Sequence, residues 1–146
     1  LNLHNKNGIE FLCVSEKEMA NYDPLAGSFA VIKCNGKYLM CYNVWREQWE
    51  LPAGRREGNE TPKECAIREL YEETGQLVKG LEFKGLLKTK KSISQETKYN
   101  PVYFAEVVKL QPFLENEETS EIKLWDLKEE IGYVDVVDIR IFDYLD

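Results

Sequence analysis

Along most of the chain, apolar residues alternate with polar ones, or crowd them out, over runs of strand length; one polar-rich segment switches to helical spacing. "IEFLCVSE" is a short strand. "GSFAVIKC" and "KYLMCYNVW" are two more, joined by Asn35-Gly36, a pair that tolerates the positive φ of a two-residue hairpin turn. "QWELPAG" reads as a short extended piece with Trp49 and Leu51 on one side. "LEFKGLLKTKKS" and "KYNPVYFAEVVKL" predict two longer strands, with Pro101 marking an edge, a bulge or an irregular start in the second. "EIKLWDL" is a further extended or turn segment. Val137, Ile141, Tyr144 and Leu145 fall near helical spacing and predict a C-terminal helix, although its β-branched residues also suit a strand. No linker, repeat or low-complexity segment interrupts residues 1–146, so one α+β domain is expected, with helices packed on a mixed or antiparallel sheet.

The helical segment runs from Pro62 to Thr74. Thr61 caps it, Thr61-x-x-Glu64 is a capping box, Pro62 suits the first turn and Gly75 supplies a left-handed stop. At about 100° per residue, Ala66, Ile67, Leu70, Tyr71 and Thr74 share one face, which should sit on the sheet. Glu69, Glu72 and Glu73 fill an adjoining arc of about 100°, with Cys65 among them and Arg68 at its far edge. A solvated acidic face explains such an arc in part. Yet Glu72 and Glu73 lie where the helix dipole disfavours negative charge, and a single nearby arginine offsets three carboxylates. A bound divalent cation would reverse both costs, and an all-oxygen set suits Mg²⁺ or Mn²⁺ better than zinc.

Charge narrows the partners. The formal net charge of −7 argues against sequence-independent binding to nucleic acid or to an anionic membrane. An anionic small substrate stays compatible if a metal or a local basic patch offsets the repulsion. No apolar run reaches membrane-spanning length, and "LNLHNKNG" lacks the features of a signal peptide, so the cytoplasm is the expected location. Cys13, Cys34, Cys41 and Cys65 form no CxxC pair and His4 is the only histidine, which disfavours zinc. The hairpin register sets Cys34 opposite Lys37 and Cys41 opposite Ala30, so free thiols are expected rather than a Cys34–Cys41 disulfide.

The segment Gly54 to Gln76 resembles the box of the Nudix hydrolases, G-x(5)-E-x(7)-R-E-U-x-E-E-x-G-U, where U is bulky and aliphatic. Gly54, Glu60, Arg68, Glu69, Leu70, Glu72, Glu73 and Gly75 all match. Gln76 departs from the final aliphatic position, where it should weaken packing at the helix exit. Ala53 stands where many members have glycine, and "EGNE" places Asn59 at a turn that usually holds one. The resemblance implies an α/β/α sandwich with a mixed sheet. It implies a Mg²⁺-dependent enzyme, with Mn²⁺ also fitting, that hydrolyses a nucleoside diphosphate linked to another moiety.

By the same resemblance Glu69, Glu72, Glu73 and the Ala53 carbonyl hold metal, while Glu69, Glu72 and Arg68 form the catalytic group, Arg68 by orienting a glutamate. Glu60 braces the loop and Gly54 lets it turn. The general base is Glu69 or a glutamate of "LENEETSEIKLW", where Glu118 and Glu121 are preferred over Glu115 and Glu117. Arg46 is a candidate for a phosphate; Trp45, Trp49, Tyr99, Tyr103 and Phe104 are candidates for stacking on a base, each with a role in the core as the plainer alternative. The basic run Lys88 to Lys91 is a solvated edge or an attractor of polyphosphate. A nucleoside triphosphate, including an oxidised one, is the favoured substrate of a monomer or homodimer. ADP-ribose or a nucleotide sugar is the alternative, and a nucleotide-sensing regulator without turnover the alternative of another class.

Overall fold

A computed structural model of the chain describes residues 8–90 and 96–145. His4 and Lys91 therefore lie outside the described residues. The strands are β1 (Ile9–Leu12), β2 (Ser28–Cys34), β3 (Lys37–Asn43), β4 (Gln48–Glu50), β5 (Ala53–Gly54), β6 (Glu82–Lys90), β7 (Thr97–Val107) and β8 (Thr119–Trp125). Helix α1 spans Pro62–Thr74 and α2 spans Asp138–Ile141, followed by a 3₁₀ turn at Phe142–Tyr144. β1 ends at Leu12, and a 3₁₀ turn at Glu16–Asn21, capped by Ser15 and Glu18, follows where the sequence predicts strand as far as Glu16.

The sheet is mixed. Its path is β1-β6-β7-β2-β3-β4, with β2 and β7 parallel and the other pairs antiparallel. The Asn35-Gly36 turn forms as expected, both residues at positive φ, and Cys34 faces Lys37. Beyond Lys33–Tyr38 the two strands part, and the β4–β5 segment enters between them: β4 pairs with β3 and β5 with β2. Cys41 consequently lies opposite Glu50 and Ile122, not opposite Ala30. The Ala30 amide donates instead to the Pro52 carbonyl at 2.9 Å. All four thiols are free.

Period-two alternation fills both faces of the central strands. On one face Phe29, Val31, Tyr38, Met40, Leu87 and Val102 pack with Ile141 and Leu145 of the C-terminal segment. On the other, Ala30, Ile32, Leu39 and Tyr103 pack with Ala66 and Leu70 of α1. The layers are those of an α/β/α sandwich. Pro101 lies inside β7, one residue before its ladder to β2 begins at Val102, while the bulge falls on β6 between Phe83 and Gly85. The C-terminal helix is shorter than expected, because Val137 becomes its cap and its last turn, Phe142–Tyr144, winds as 3₁₀.

Helix α1 has the caps its sequence prescribes. The Thr61 and Glu64 side chains exchange bonds with each other's amides, and Gly75 sits at φ 82°. Its buried stripe is rotated from the expected one. Tyr71 is 45% exposed, whereas Cys65 and Glu73 are buried with Ala66, Leu70 and Thr74. The helical step accounts for this: Glu73 falls about 20° from Ala66 and Tyr71 about 140° away. A carboxylate thus sits at the centre of the apolar face.

Gln76 also differs from expectation. Buried, it donates to the Gln111 carbonyl at 2.8 Å and accepts from the Gln111 amide at 2.7 Å, while the Gln111 side chain does the same for Leu77. Polar pairing replaces aliphatic packing and moors the segment before β8 to the end of α1. Gln76→Ala should cost about 1–3 kcal/mol, since it removes both part-buried bonds to the Gln111 backbone at the exit of α1. Urea denaturation would measure it, with Gln76→Leu recovering little because it too makes neither bond.

Candidate active site

Gly54 and α1 meet so closely that a Cβ at Gly54 would fall on the Glu69 carboxylate. The loop that follows turns at Glu57–Glu60, where the Glu60 amide donates to the Glu57 carbonyl at 3.0 Å. Gly58, with φ 55°, carries the left-handed geometry there, so Asn59 does not have to.

Arg68 gathers this loop onto the helix. Its Nε and Nη2 donate to Glu60 at 2.6 and 3.1 Å, a two-point clamp. Nη2 also reaches the Arg55 carbonyl at 2.8 Å, and Nη1 donates to Glu69 at 3.1 Å and Glu72 at 3.0 Å. The guanidinium holds the Glu60 carboxyl below its ordinary range. Arg68 thus touches Glu60, Glu69 and Glu72 at once and joins the loop to the helix.

Glu69, Glu72, Glu73 and Glu118 line one open cleft of about 360 Å³, together with Trp45, Asn116 and Glu117. Glu73 is 4% exposed and accepts from the Ala53 amide at 3.3 Å and the Cys41 thiol at 3.6 Å. Burial first, then the neighbouring Glu69 and Glu118, push its pKa up to about 10. Without another positive charge, this carboxylate therefore keeps a proton through neutral pH. Burial also raises the Glu118 pKa, against Arg46, which lowers it.

Does this donor set fit a divalent cation? Five carboxylates on one cleft, one of them held protonated by burial, form an excess of hard oxygen donors that a doubly charged ion would relieve. Arg68 currently draws Glu69 and Glu72 toward itself, and among the described residues no three acidic, thiol or imidazole side chains converge on one point. The donors are present and adjacent, and the fit lies in their chemistry.

Other sequence candidates separate. Glu118, half-buried, and Glu117, exposed, belong to the cleft, whereas Glu121 is exposed on β8 away from it, and Glu115 is exposed. Arg46 is committed to Glu50, with Nε and Nη2 donating at 2.6 and 3.0 Å, and reaches Glu118 at 3.4 Å. Trp49 is buried against Tyr42, its backbone clasped by Tyr133 and Asp135. Tyr103 is 0% exposed and donates its hydroxyl to Glu16 at 2.7 Å. Neither ring has a face left for a ligand; both belong to the core. Tyr99 packs edge-on against Tyr22, and Phe104 lies beneath Lys84. Only Trp45, 64% exposed, faces the carboxylate cleft.

Nothing in the residue pattern marks a second cavity. About 680 Å³ in volume, it is walled by Ile9, Phe29, Asn100, Asp135 and Asp138, with Lys90, Lys98 and Arg140 at its rim. A trough lined by Gly27, Arg55, Arg56, Lys98 and Asn100 adjoins it, sharing Lys98 and Asn100. Gly27 of the trough lies against the Gly54 carbonyl, and Gly54 in turn lies against Glu69 of the carboxylate cleft.

Residues 24–145 match the family model described as NUDIX domain. The chain belongs to that family. It is an enzyme, a Nudix hydrolase, and hydrolases of this family generally use divalent metals. Its fold is that of a variant of the Bacillus subtilis pyrophosphohydrolase BsRppH (24% identity, TM-score 0.67, covering 84% of this chain and 74% of that one). It is also that of the MutT NUDIX hydrolase from Burkholderia pseudomallei (18%, 0.70, 86% and 100%). The NUDIX domain of Shewanella oneidensis NrtR, solved with ADP ribose, is similar as well (18%, 0.66, 90% and 96%). At these identities the likeness concerns the fold alone.

The second cavity of this Nudix protein carries a pH signature. Burial, then Asp135, raise the Asp138 carboxyl well above its ordinary value, against the Leu51 amide, which donates to it at 2.9 Å. The native state then holds a proton that the unfolded chain releases above about pH 4, so stability falls as pH rises from there. Asp138→Asn keeps an acceptor for Leu51 and removes the titration. Thermal unfolding should show the variant more stable than the parent at pH 8, with the gap closing toward pH 4.

Proposed function

We propose that this Nudix hydrolase is a Mg²⁺-dependent nucleotide pyrophosphohydrolase whose preferred substrate is a nucleoside triphosphate, an oxidised one included, cleaved to monophosphate and pyrophosphate. The observation that carries this reading is the carboxylate cleft on α1, supported by the trough with Arg55, Arg56 and Lys98 and the cavity walled by Phe29, which share Lys98 and Asn100. The cavity suits a nucleoside, with an apolar wall and a few polar groups, and the cationic trough suits the phosphate chain between base and cleft.

Glu69, Glu72, Glu73 and the Ala53 carbonyl would hold the cation. When bound, Mg²⁺ (or Mn²⁺) supplies positive charge to the phosphate oxygens and renders an attacking water more acidic. Arg68 orients Glu69 and Glu72 through Nη1. Glu118, on the wall of the cleft, takes the proton of the water, with Glu69 as the other candidate. The water oxygen bonds to phosphorus as the anhydride P–O bond breaks, and the pyrophosphate leaves with that electron pair. The buried free thiols Cys34, Cys41 and Cys65 fit a reducing compartment such as the cytoplasm.

One observation favours a second reading, an ADP-ribose or nucleotide-sugar substrate. Trp45 stands exposed at the cleft, where a group beyond the second phosphate could stack.

A nucleotide panel assayed with Mg²⁺ and Mn²⁺, with products identified, decides between them. Release of pyrophosphate from triphosphates is expected; exclusive cleavage of nucleotide sugars would turn the assignment to the second reading. Glu72 is 54% exposed at its side chain, so Glu72→Gln should leave folding intact while lowering kcat at least ~100-fold. Retained turnover would remove Glu72 from the metal site.

A further inference from the structure

Asn43 ends β3 and is buried, and both ends of its carboxamide are used. Its Oδ1 accepts from the Trp45 and Arg46 amides, each at 2.9 Å, which folds the turn between β3 and β4. Its Nδ2 points the other way, donating to Glu118 Oε2 at 2.8 Å and to Glu50 Oε1 at 3.3 Å. The neighbouring Val44 amide holds the Glu118 carbonyl at 2.9 Å. Arg46 Nη2 also reaches Glu118 Oε2, but at 3.4 Å, and its main bonds go to Glu50. Among the described residues Glu118 Oε1 takes no protein donor.

We propose that Asn43 is a positioning residue for hydrolysis: its amide pins one oxygen of Glu118 and leaves the other for the reaction in the carboxylate cleft. This rests on the reading of Glu118 as a working carboxylate. A carboxylate at the end of a flexible side chain and near the Glu69 carboxylate would otherwise swing away from that like charge. A neutral donor does what a lysine could not, holding the carboxylate without neutralising it. Glu50 acts from behind: with Arg46 and the Gln48 amide (2.6 Å) it fixes the block on which Asn43 rests.

The turn-capping role and the positioning role can be separated by substitution. Asn43→Ser keeps a capping oxygen for Trp45 and Arg46 but withdraws the amide from Glu118. Asn43→Asp, the second variant should the first not fold, keeps the cap and replaces the donor by a repelling oxygen. The expected result is a fall in kcat of about 10- to 100-fold with little change in KM and an intact fold. A crystal structure of the variant should show Glu118 displaced while the turn keeps its shape.

In the Glu118→Gln background the same substitution should add almost nothing. Full activity of the Asn43 variant, an unmoved Glu118 carboxylate, or a loss that persists undiminished in the Glu118→Gln background would each overturn the proposal. If Glu118→Gln alone turns over like the parent, the role of Glu118 itself fails, and the inference with it. That outcome is distinct from an active Asn43 variant beside an inactive Glu118→Gln.

Discussion

The carboxylate of Glu73, set into the middle of the buried face of α1, governs the arrangement around it. Burying a charge without a partner costs far more than any surface contact returns, so such a group must be protonated, paired or bound to a cation. Around Glu73 the described residues offer the Ala53 amide and a thiol, and among them no cationic side chain is in hydrogen-bond contact. Its nearest charged neighbours, Glu69 and Glu118, are of like sign. An oxygen-rich wall of this sign has the donor chemistry that a hard divalent cation requires.

Two devices keep that wall together. On one side the Arg68 guanidinium ties the loop after Gly54 to the helix through Glu60, Glu69 and Glu72. On the other, the segment before β8 is fastened to the end of α1, where four carbonyls would otherwise lack donors. Gly75 supplies an amide to Tyr71, Asn116 its side chain to Glu73, and Leu114 and Gln76 their groups to Thr74. Asn116 Oδ1 accepts from the Glu118 and Thr119 amides as well, so the bonds that finish the helix also deliver Glu118 to the cleft. Helix capping and site assembly are here the same set of contacts.

The parting of β2 and β3 has a comparable role. By admitting β4 and β5 between them, it brings Ala53 against Glu73, Gly54 against Glu69, and Glu50 behind Asn43 and Arg46. A regular hairpin would have set Cys41 across from Ala30 and left no place for the box loop. Chain economy follows from this geometry: a seven-residue segment, Gln48 to Gly54, closes a sheet, seats a loop and lines a site.

Whatever depended on neighbours in sequence was legible beforehand. The cap of α1 at Thr61, its stop at Gly75, the turn at Asn35-Gly36 and the acidic arc follow from backbone preferences and the helical step, which act over a few residues. The carboxylate cleft was legible as far as Glu69, Glu72 and Glu73 for the same reason. Which of Glu118 and Glu121 would face it was not, because that depends on how β8 registers against β3, a strand some eighty residues earlier. Trp49 and Tyr103 were equally open in sequence, since an aromatic residue on a strand has the same composition whether its face is covered or bare. Tertiary packing alone decided those burials, the rotation that buried Glu73 and exposed Tyr71, and the pairing of Asn43 with a glutamate far along the chain. Each is a contact between distant segments, and its free energy exists only once the sheet has brought them together.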